Sequence, residues 1–205
     1  MTKRLNAKKK ISRKLGASLW GQAKDPFIKR NFKPGQHGAN TRTRPTDYGI
    51  QLKAKQRLKF YYGNISEKQF RTMFGTASKI KGDTSENFIS LLESRLDAVV
   101  YRANFVPTVF AARQFVNHKH VMVNGKVVNI PSFRLKIGDV VEVRERSREL
   151  AIVIDSLQKK ERDIPPYLEL NSDERTIKLL SKPIFADVPY ACQMEPHLIT
   201  EFYSR

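Results

Sequence analysis

Residues 92–143 read LESRLDAVVYRANFVPTVFAARQFVNHKHVMVNGKVVNIPSFRLKIGDVVEV. Apolar residues in the first part of this stretch recur at the spacing of one helix face: Leu92, Leu96, Val99, Val100 and Ala103. Pro107 ends that helix, and Thr108 is placed to cap the next one. Asn124-Gly125, between two apolar runs, predicts a type I′ hairpin.

Two further strands are predicted after the hairpin. Phe133–Ile137 alternates between apolar and basic residues, Gly138-Asp139 forms a turn, and Val140–Val143 reads as the next strand. The predicted order is helix, helix, hairpin, strand, turn, strand. Arg95 and Arg102 lie seven residues apart, on a side of the first helix other than its apolar face, so both are candidates for contact with an anionic partner.

The chain is strongly basic, and the excess is uneven. Its 205 residues include 38 Lys and Arg against 20 Asp and Glu, a net charge of +18. Residues 1–60 carry 17 basic and 2 acidic residues, whereas residues 141–205 carry 10 and 12. A local excess of this size favours a nucleic acid as the partner. A membrane-surface protein is the competing class, but no long amphipathic basic helix is present in the sequence.

The single cysteine, Cys192, excludes an intramolecular disulfide and a multi-cysteine zinc site. It suits a reducing compartment. No apolar run approaches the roughly 18 residues needed to cross a membrane. The four histidines show no convincing ligand spacing. We therefore expect no metal, no cofactor and no membrane partner.

The basic composition of residues 1–45 and their lack of a regular apolar period predict an extended basic leader. Phe32–Asn40 contains Pro34-Gly35 and a second glycine, Gly38, which predict a loop. Thr41–Pro45 alternates hydroxyl and guanidinium donors, and both suit phosphate oxygens. The alternative interpretation of this leader is a solvated, partly disordered tail.

Helices are expected between residues 46 and 94. Thr46 is placed to cap the first, Ser66 opens a capping box with Gln69, and Asp83 or Thr84 caps the third. Basic and aromatic residues are interleaved in the first of these helices. The aromatic residues either stack on bases or belong to the core.

The region after Arg144 mixes charges of both signs. Leu150–Leu157 predicts a helix, Tyr167–Leu170 and Thr176–Leu179 predict strands, and the apolar terminus His197–Tyr203 is expected to dock back on the body.

The central module resembles the RNA-binding domain named after the fourth protein of the small ribosomal subunit. The matching residues are Leu92-Glu93, Arg95-Leu96, Val100-Tyr101-Arg102, Thr108, Ala112-Arg113 and the hairpin Val123–Val127. The flanks extend the resemblance to the ribosomal protein family itself, through Pro34–Ala39, Asp47–Lys53 and His197–Ile199. It covers essentially the whole chain, in the bacterial or organellar form. The chain lacks the N-terminal cysteine cluster of zinc-binding relatives.

The resemblance implies a structural constituent of the small ribosomal subunit and not an enzyme. Members of the family bind small-subunit rRNA at a multi-helix junction of the 5′ domain and nucleate assembly of the body. They neighbour the fifth small-subunit protein, influence decoding accuracy and line the messenger RNA entry channel. We expect no DNA partner and a cytoplasmic ribosome, with an organellar one as the alternative. The other function considered is an RNA-binding regulatory protein or an RNA-modification accessory carrying this module.

The expected fold class is α+β, with an N-terminal helical domain, an inserted RNA-binding module of two helices and a small antiparallel sheet, and a C-terminal segment packing back on the first domain. The predicted boundaries are 1–91 (leader 1–45), 92–157 and 158–205. The predicted RNA-binding residues are cations together with polar and loop residues near them: Lys3, Arg4, Lys8, Lys9, Lys10, Arg13, Lys14, Lys33, Gly35, Gln36, His37, Arg42, Arg44, Tyr48, Lys53, Lys55, Arg57, Lys59, Arg95, Arg102, Arg113, Asn117, His118, Lys119 and Lys126.

Overall fold

The structure is a computed structural model that describes residues 8–22, 24–40, 44–159 and 161–204, without the side chains of residues 8 and 9. The helices in chain order are α1 Lys8–Leu15, α2 Pro26–Lys29, α3 Asp47–Tyr61, α4 Glu67–Ala77, α5 Thr84–Glu93, α6 Leu96–Arg102, α7 Val109–Asn117, α8 Ala151–Lys159 and α9 Pro196–Tyr203. The strands are β1 Val121–Val123, β2 Lys126–Val127, β3 Val140–Val143, β4 Leu168–Asn171 and β5 Thr176–Leu179. Short 3-10 turns occur at Glu145–Ser147 and Phe185–Asp187.

The chain divides into two compact units. The first contains the residues up to Phe70 together with those from Tyr190 onward, and the second contains Arg71–Pro189. This division differs from the predicted boundaries 91/92 and 157/158. Residues 158–189 belong to the second unit because β5 pairs with β3 and extends its sheet. Only the last part of the predicted C-terminal segment returns to the first unit.

Helix α3 is the central element of the first unit and packs against α1 and α9. It begins where predicted, because the Thr46 hydroxyl accepts a hydrogen bond from the Gly49 N–H at 3.2 Å. Residues of α1, the following turn and α3 form one buried apolar cluster: Ile11, Leu15, Leu19 and Phe60. The leader therefore contributes core residues as well as charge.

The apolar terminus docks as predicted. The Gln51 amide donates to the Glu201 carboxylate at 2.9 Å, and the Lys55 ammonium lies 4.2 Å from the centre of the Phe202 ring. Phe60, Tyr61 and Tyr62 are buried, so these aromatic residues are core. Tyr48 is exposed, and its ring lies 5.6 Å from that of Phe202.

The second unit contains an antiparallel sheet in the order β2-β1-β3-β5-β4. The β1–β2 hairpin has the predicted two-residue turn, with Asn124 at φ 50° and Gly125 at φ 74°. A type I′ turn requires both values to be positive. Helices α6 and α7 pack against each other, and the Thr108 hydroxyl caps α7 through the Ala111 N–H at 3.1 Å.

The strand predicted for Phe133–Ile137 was wrong. The Leu135 N–H donates to the Ser94 carbonyl at 2.8 Å, the Leu96 N–H donates to the Phe133 carbonyl, and only one isolated bridge, Arg95 to Arg134, forms here. The segment that pairs with it, Ser94–Leu96, continues into α6, where the Arg95 carbonyl accepts a hydrogen bond from the Val99 N–H at 3.0 Å. The ladder therefore cannot continue. Because Ser94 and Arg95 pair with this segment, α5 and α6 are separate helices. The apolar spacing had predicted one continuous helix face from Leu92 to Ala103.

One buried ion pair, with Tyr167, joins α5, α6 and the residue before β4, and a second buried ion pair lies at the start of α6. The Arg102 guanidinium donates to both Glu93 carboxylate oxygens, at 3.1 and 2.8 Å, and the Tyr167 hydroxyl donates to Glu93 at 2.9 Å. The Arg95 guanidinium donates to both Asp97 oxygens, at 2.9 and 2.7 Å. Both arginines are only 2% exposed. Each bidentate pair satisfies charges that would be costly to bury alone.

Arg102→Met is expected to destabilise the second unit by about 3–5 kcal/mol, because it leaves the Glu93 carboxylate buried without its cation. Urea denaturation followed by circular dichroism measures the loss. The control, Arg146→Met, removes an exposed arginine and should change stability by less than about 0.5 kcal/mol. Equal losses for the two variants would contradict a structural role for Arg102.

Candidate nucleic-acid interface

The loop at Phe32–Asn40 is held to α1 by one arginine. The Arg13 guanidinium donates to the Phe32 and Lys33 carbonyls at 3.1 and 3.2 Å and lies 4.8 Å from the centre of the Phe32 ring. Arg13, predicted to bind RNA, therefore positions the loop. A methyl group on Gly38 would lie 1.8 Å from the Lys33 carbonyl oxygen, so only glycine fits this close approach.

The loop and the exposed side of α3 bring cations together around Lys53. Partial burial lowers the pKa of Lys53, and the positive charges of Arg57 and Lys33 lower it further, whereas the negative charge of Glu195 raises it. A methyl group on Gly16 would lie 3.3 Å from the Lys53 ammonium, so the glycine leaves room for this side chain. Mutual repulsion of this kind is relieved when an anion binds between the cations.

Other cations of α3 are paired. Lys55 and Lys59 contact the Glu67 carboxylate at 2.9 and 3.2 Å. Burial raises the pKa of Glu67, but hydrogen bonds from Lys55, Tyr203 and Lys59 outweigh it and leave the pKa below the ordinary value. Arg57 donates to the Gln193 carbonyl at 2.9 Å. Lys55 is buried, which does not suit its predicted role as an RNA contact.

The structure also corrects the predicted role of the module's arginines. Arg95 and Arg102 are buried in the ion pairs described above, so an RNA phosphate cannot reach them. Arg113 is mostly buried, and its guanidinium lies 3.8 Å from the Asp97 carboxylate. These arginines were predicted as contacts because helical spacing shows which side they share, but not what covers that side.

Several predicted residues are at the surface. Lys10, Lys14, Lys33, Gln36, His37, Arg44 and Lys53 are exposed in the first unit, as is Gly35 at φ 108°. Asn117, His118, Lys119 and Lys126 are exposed in the second. Lys3, Arg4 and Arg42 lie outside the described residues, as do the side chains of Lys8 and Lys9.

The sequence reasoning missed the arginines that follow β3. Arg146 is exposed, and Arg144 and Arg148 are half-buried. The Arg144 N–H donates to the His120 carbonyl at 2.8 Å, which places this segment beside the end of α7. Glu145, between the first two, and Glu142 and Glu149 on either side hid these arginines, because they make the stretch look like an ordinary mixed-charge surface. The signal available in the sequence was that these arginines occupy every second position.

Within the described ranges, no cluster of three His, Cys, Asp or Glu residues could hold a metal ion. In the same ranges, no helix has the length and apolar character required to cross a membrane.

Two surfaces of exposed cations, one on a helical unit and one on a small helix-and-sheet module, define a nucleic-acid-binding protein. Residues 3–93 match the family described as "Ribosomal protein S4/S9 N-terminal domain", and residues 94–141 match the "S4 domain". Relatives named "Small ribosomal subunit protein uS4" cover the full length of both chains: 57% identical from Ruegeria pomeroyi, 58% from Paracoccus denitrificans and 58% from Brucella abortus. The chain belongs to this family of small ribosomal subunit proteins.

These matches confirm the resemblance seen in the sequence, and the described elements confirm the α+β fold class. The family is structural and non-enzymatic, in agreement with the prediction that the chain is not an enzyme.

The pKa of Lys53 is expected to lie below 10.5 in the free protein and to rise when RNA binds, because phosphate stabilises the ammonium form. Side-chain NMR titration measures both values. Lys33→Gln should raise the pKa of Lys53 in the free protein by removing one like charge. An unchanged pKa in this variant would show that the two lysines do not form one cationic surface.

Proposed function

We propose that the chain is a structural constituent of the small ribosomal subunit and binds its rRNA directly. The observation that carries this proposal is the cationic surface around Lys53, where Lys33 and Arg57 repel its ammonium. Full-length relatives that are named as small-subunit proteins support the assignment of the RNA.

The first unit is proposed as the main rRNA-binding unit. Most of the net charge lies in residues 1–60, and the Arg13-held loop presents Gln36 and His37 as donors beside the cations. Backbone donors and phosphate-spaced cations position a protein on folded RNA, where shape provides most of the recognition. The second unit supplies a separate surface at Asn117–Lys119 and Lys126.

The finer proposals rest on the family resemblance. The protein is proposed to dock on a multi-helix junction of the 5′ domain and to nucleate assembly of the subunit body. Its proposed neighbours are the fifth small-subunit protein, through which it influences decoding accuracy, and messenger RNA near the entry channel. The proposed location is the ribosome of a bacterial cytoplasm, since the named relatives come from bacteria.

The proposal predicts tighter binding to a small-subunit rRNA junction fragment than to duplex DNA of equal length at matched salt. Filter binding or fluorescence anisotropy with the full chain measures both affinities. Equal affinities would leave only non-specific electrostatic attraction and would overturn the rRNA assignment. Co-sedimentation with the small ribosomal subunit provides an independent check.

The affinity is also expected to fall steeply as salt rises. Deleting residues 1–45 would remove the buried Ile11, Leu15 and Leu19, so charge neutralisation is the cleaner test. Lys10→Gln with Lys14→Gln should reduce the slope of log affinity against log salt by about 0.7–0.9 for each phosphate that the variant no longer neutralises. The control, Lys159→Gln with Lys178→Gln, changes two exposed lysines of the near-neutral C-terminal region. If the two double variants have the same slope, the α1 lysines do not contact RNA.

A further inference from the structure

The turn between α7 and β1 contains a lysine in a conformation that favours glycine. Lys119 has φ 64° and is exposed, and the turn is closed by hydrogen bonds from Lys119 N–H to the Val116 carbonyl at 3.0 Å and from His120 N–H to the Phe115 carbonyl at 3.3 Å. A left-handed residue just after a helix is usually glycine or asparagine. Lysine strains the backbone here without packing its side chain, so the cation requires another explanation.

Two arginines lie beside this turn. The Arg144 N–H donates to the His120 carbonyl, and Arg146 follows in the adjoining 3-10 turn. Within the described ranges, no Asp or Glu oxygen lies within 4 Å of the Arg144, Arg146 or Lys119 side-chain nitrogens. Arg148 differs, because it lies 3.9 Å from the Glu142 carboxylate and donates to the Val143 carbonyl.

Two histidines also lie at this turn. The His120 ring stacks on Phe115 at 4.8 Å, its Nδ1 lies 2.7 Å from the Ser147 hydroxyl, and the exposed His118 ring lies 6.0 Å away. Burial lowers the pKa of His120, and the charges of His118 and Arg144 lower it further. Glu142 on β3 and Glu145 on the 3-10 turn are the acidic residues of the adjoining segment, and Glu142 is close to Arg148.

We propose that His118, Lys119, Arg144 and Arg146 form a phosphate-binding site that takes the backbone of a bound RNA. This inference rests on the proposed function, because it adds a specific contact to the second unit's surface. A guanidinium provides two parallel donors to phosphate oxygens, and an ammonium provides a compact point charge. Glycine at position 119 would relieve the backbone but would remove one of these charges, which accounts for the retained strain.

The site is tested with Lys119→Gly in the full-length protein. The variant should retain or raise its Tm, by up to about 4 °C, because glycine adopts positive φ without strain. Its affinity for the rRNA junction fragment should fall roughly 3- to 10-fold, with a salt slope smaller by about 1, as expected when one cation is removed from a phosphate. A lower Tm would instead assign Lys119 a structural role and overturn the proposal.

Lys178→Gln is the charge-matched control. Lys178 is an exposed lysine of β5 that pairs with Val140, at the end of β3 away from Arg144. The substitution removes one positive charge, and the rRNA affinity should change by less than about 2-fold, because Lys178 lies outside the proposed site. If both variants lost the same rRNA affinity, the loss would reflect net charge alone, and the proposed site would be overturned. If the wild-type protein bound junction RNA and duplex DNA equally, the proposed function would fail instead.

A third variant tests whether the site acts as a unit. Adding Lys119→Gly to Arg144→Gln with Arg146→Gln should weaken RNA binding by less than the product of the separate effects, because the groups share one phosphate. If the fold-losses in affinity simply multiplied, the groups would not share one site.

Inorganic phosphate, at matched ionic strength, should not displace the RNA fragment. Displacement that requires Lys119 would show a free-anion site and overturn the RNA assignment.

Discussion

The second unit depends on the buried carboxylate of Glu93. A fully buried carboxylate must be neutralised, and here Arg102 donates two hydrogen bonds to it while Tyr167 donates a third. Arg102 also donates to the Pro189 carbonyl at 3.2 Å. The network therefore connects α5, α6 and the residue before β4. Because β4 and β5 continue the sheet through β3, the position of the whole sheet is tied to this one charge.

In so basic a protein, pairing decides which cations are available to a ligand. Arg95 and Arg102 neutralise buried carboxylates, while Lys55 and Lys59 share Glu67. Lys53, Lys119, Arg144 and Arg146 have no such ion pair within the described residues. A phosphate can use only a cation whose charge is not already neutralised and which solvent can reach. Available charge, and not total charge, therefore defines the candidate surfaces.

Each unit uses a strained or crowded backbone to present its cations. In the first unit, the close approach at Gly38 and the Arg13 hydrogen bonds shape the loop that carries Lys33. In the second, Lys119 has a positive φ in the turn between α7 and β1, and its side chain is exposed at the surface. Both arrangements fix the backbone that carries these cations, so less backbone conformational entropy would be lost on binding RNA.

The sequence by itself determined the features that depend on neighbouring residues: the helix caps at Thr46 and Thr108, the Asn124-Gly125 hairpin, and the basic first third of the chain. These follow from local hydrogen bonds, φ preferences and composition. Only the tertiary structure decided that Arg95 and Arg102 are internal, that Phe133–Ile137 forms no strand, and that Arg144 lies beside Lys119. Those outcomes depend on contacts between distant residues, such as Glu93 and Tyr167, which no local spacing encodes. The same side-chain chemistry thus serves the core or the surface according to what the fold brings next to it.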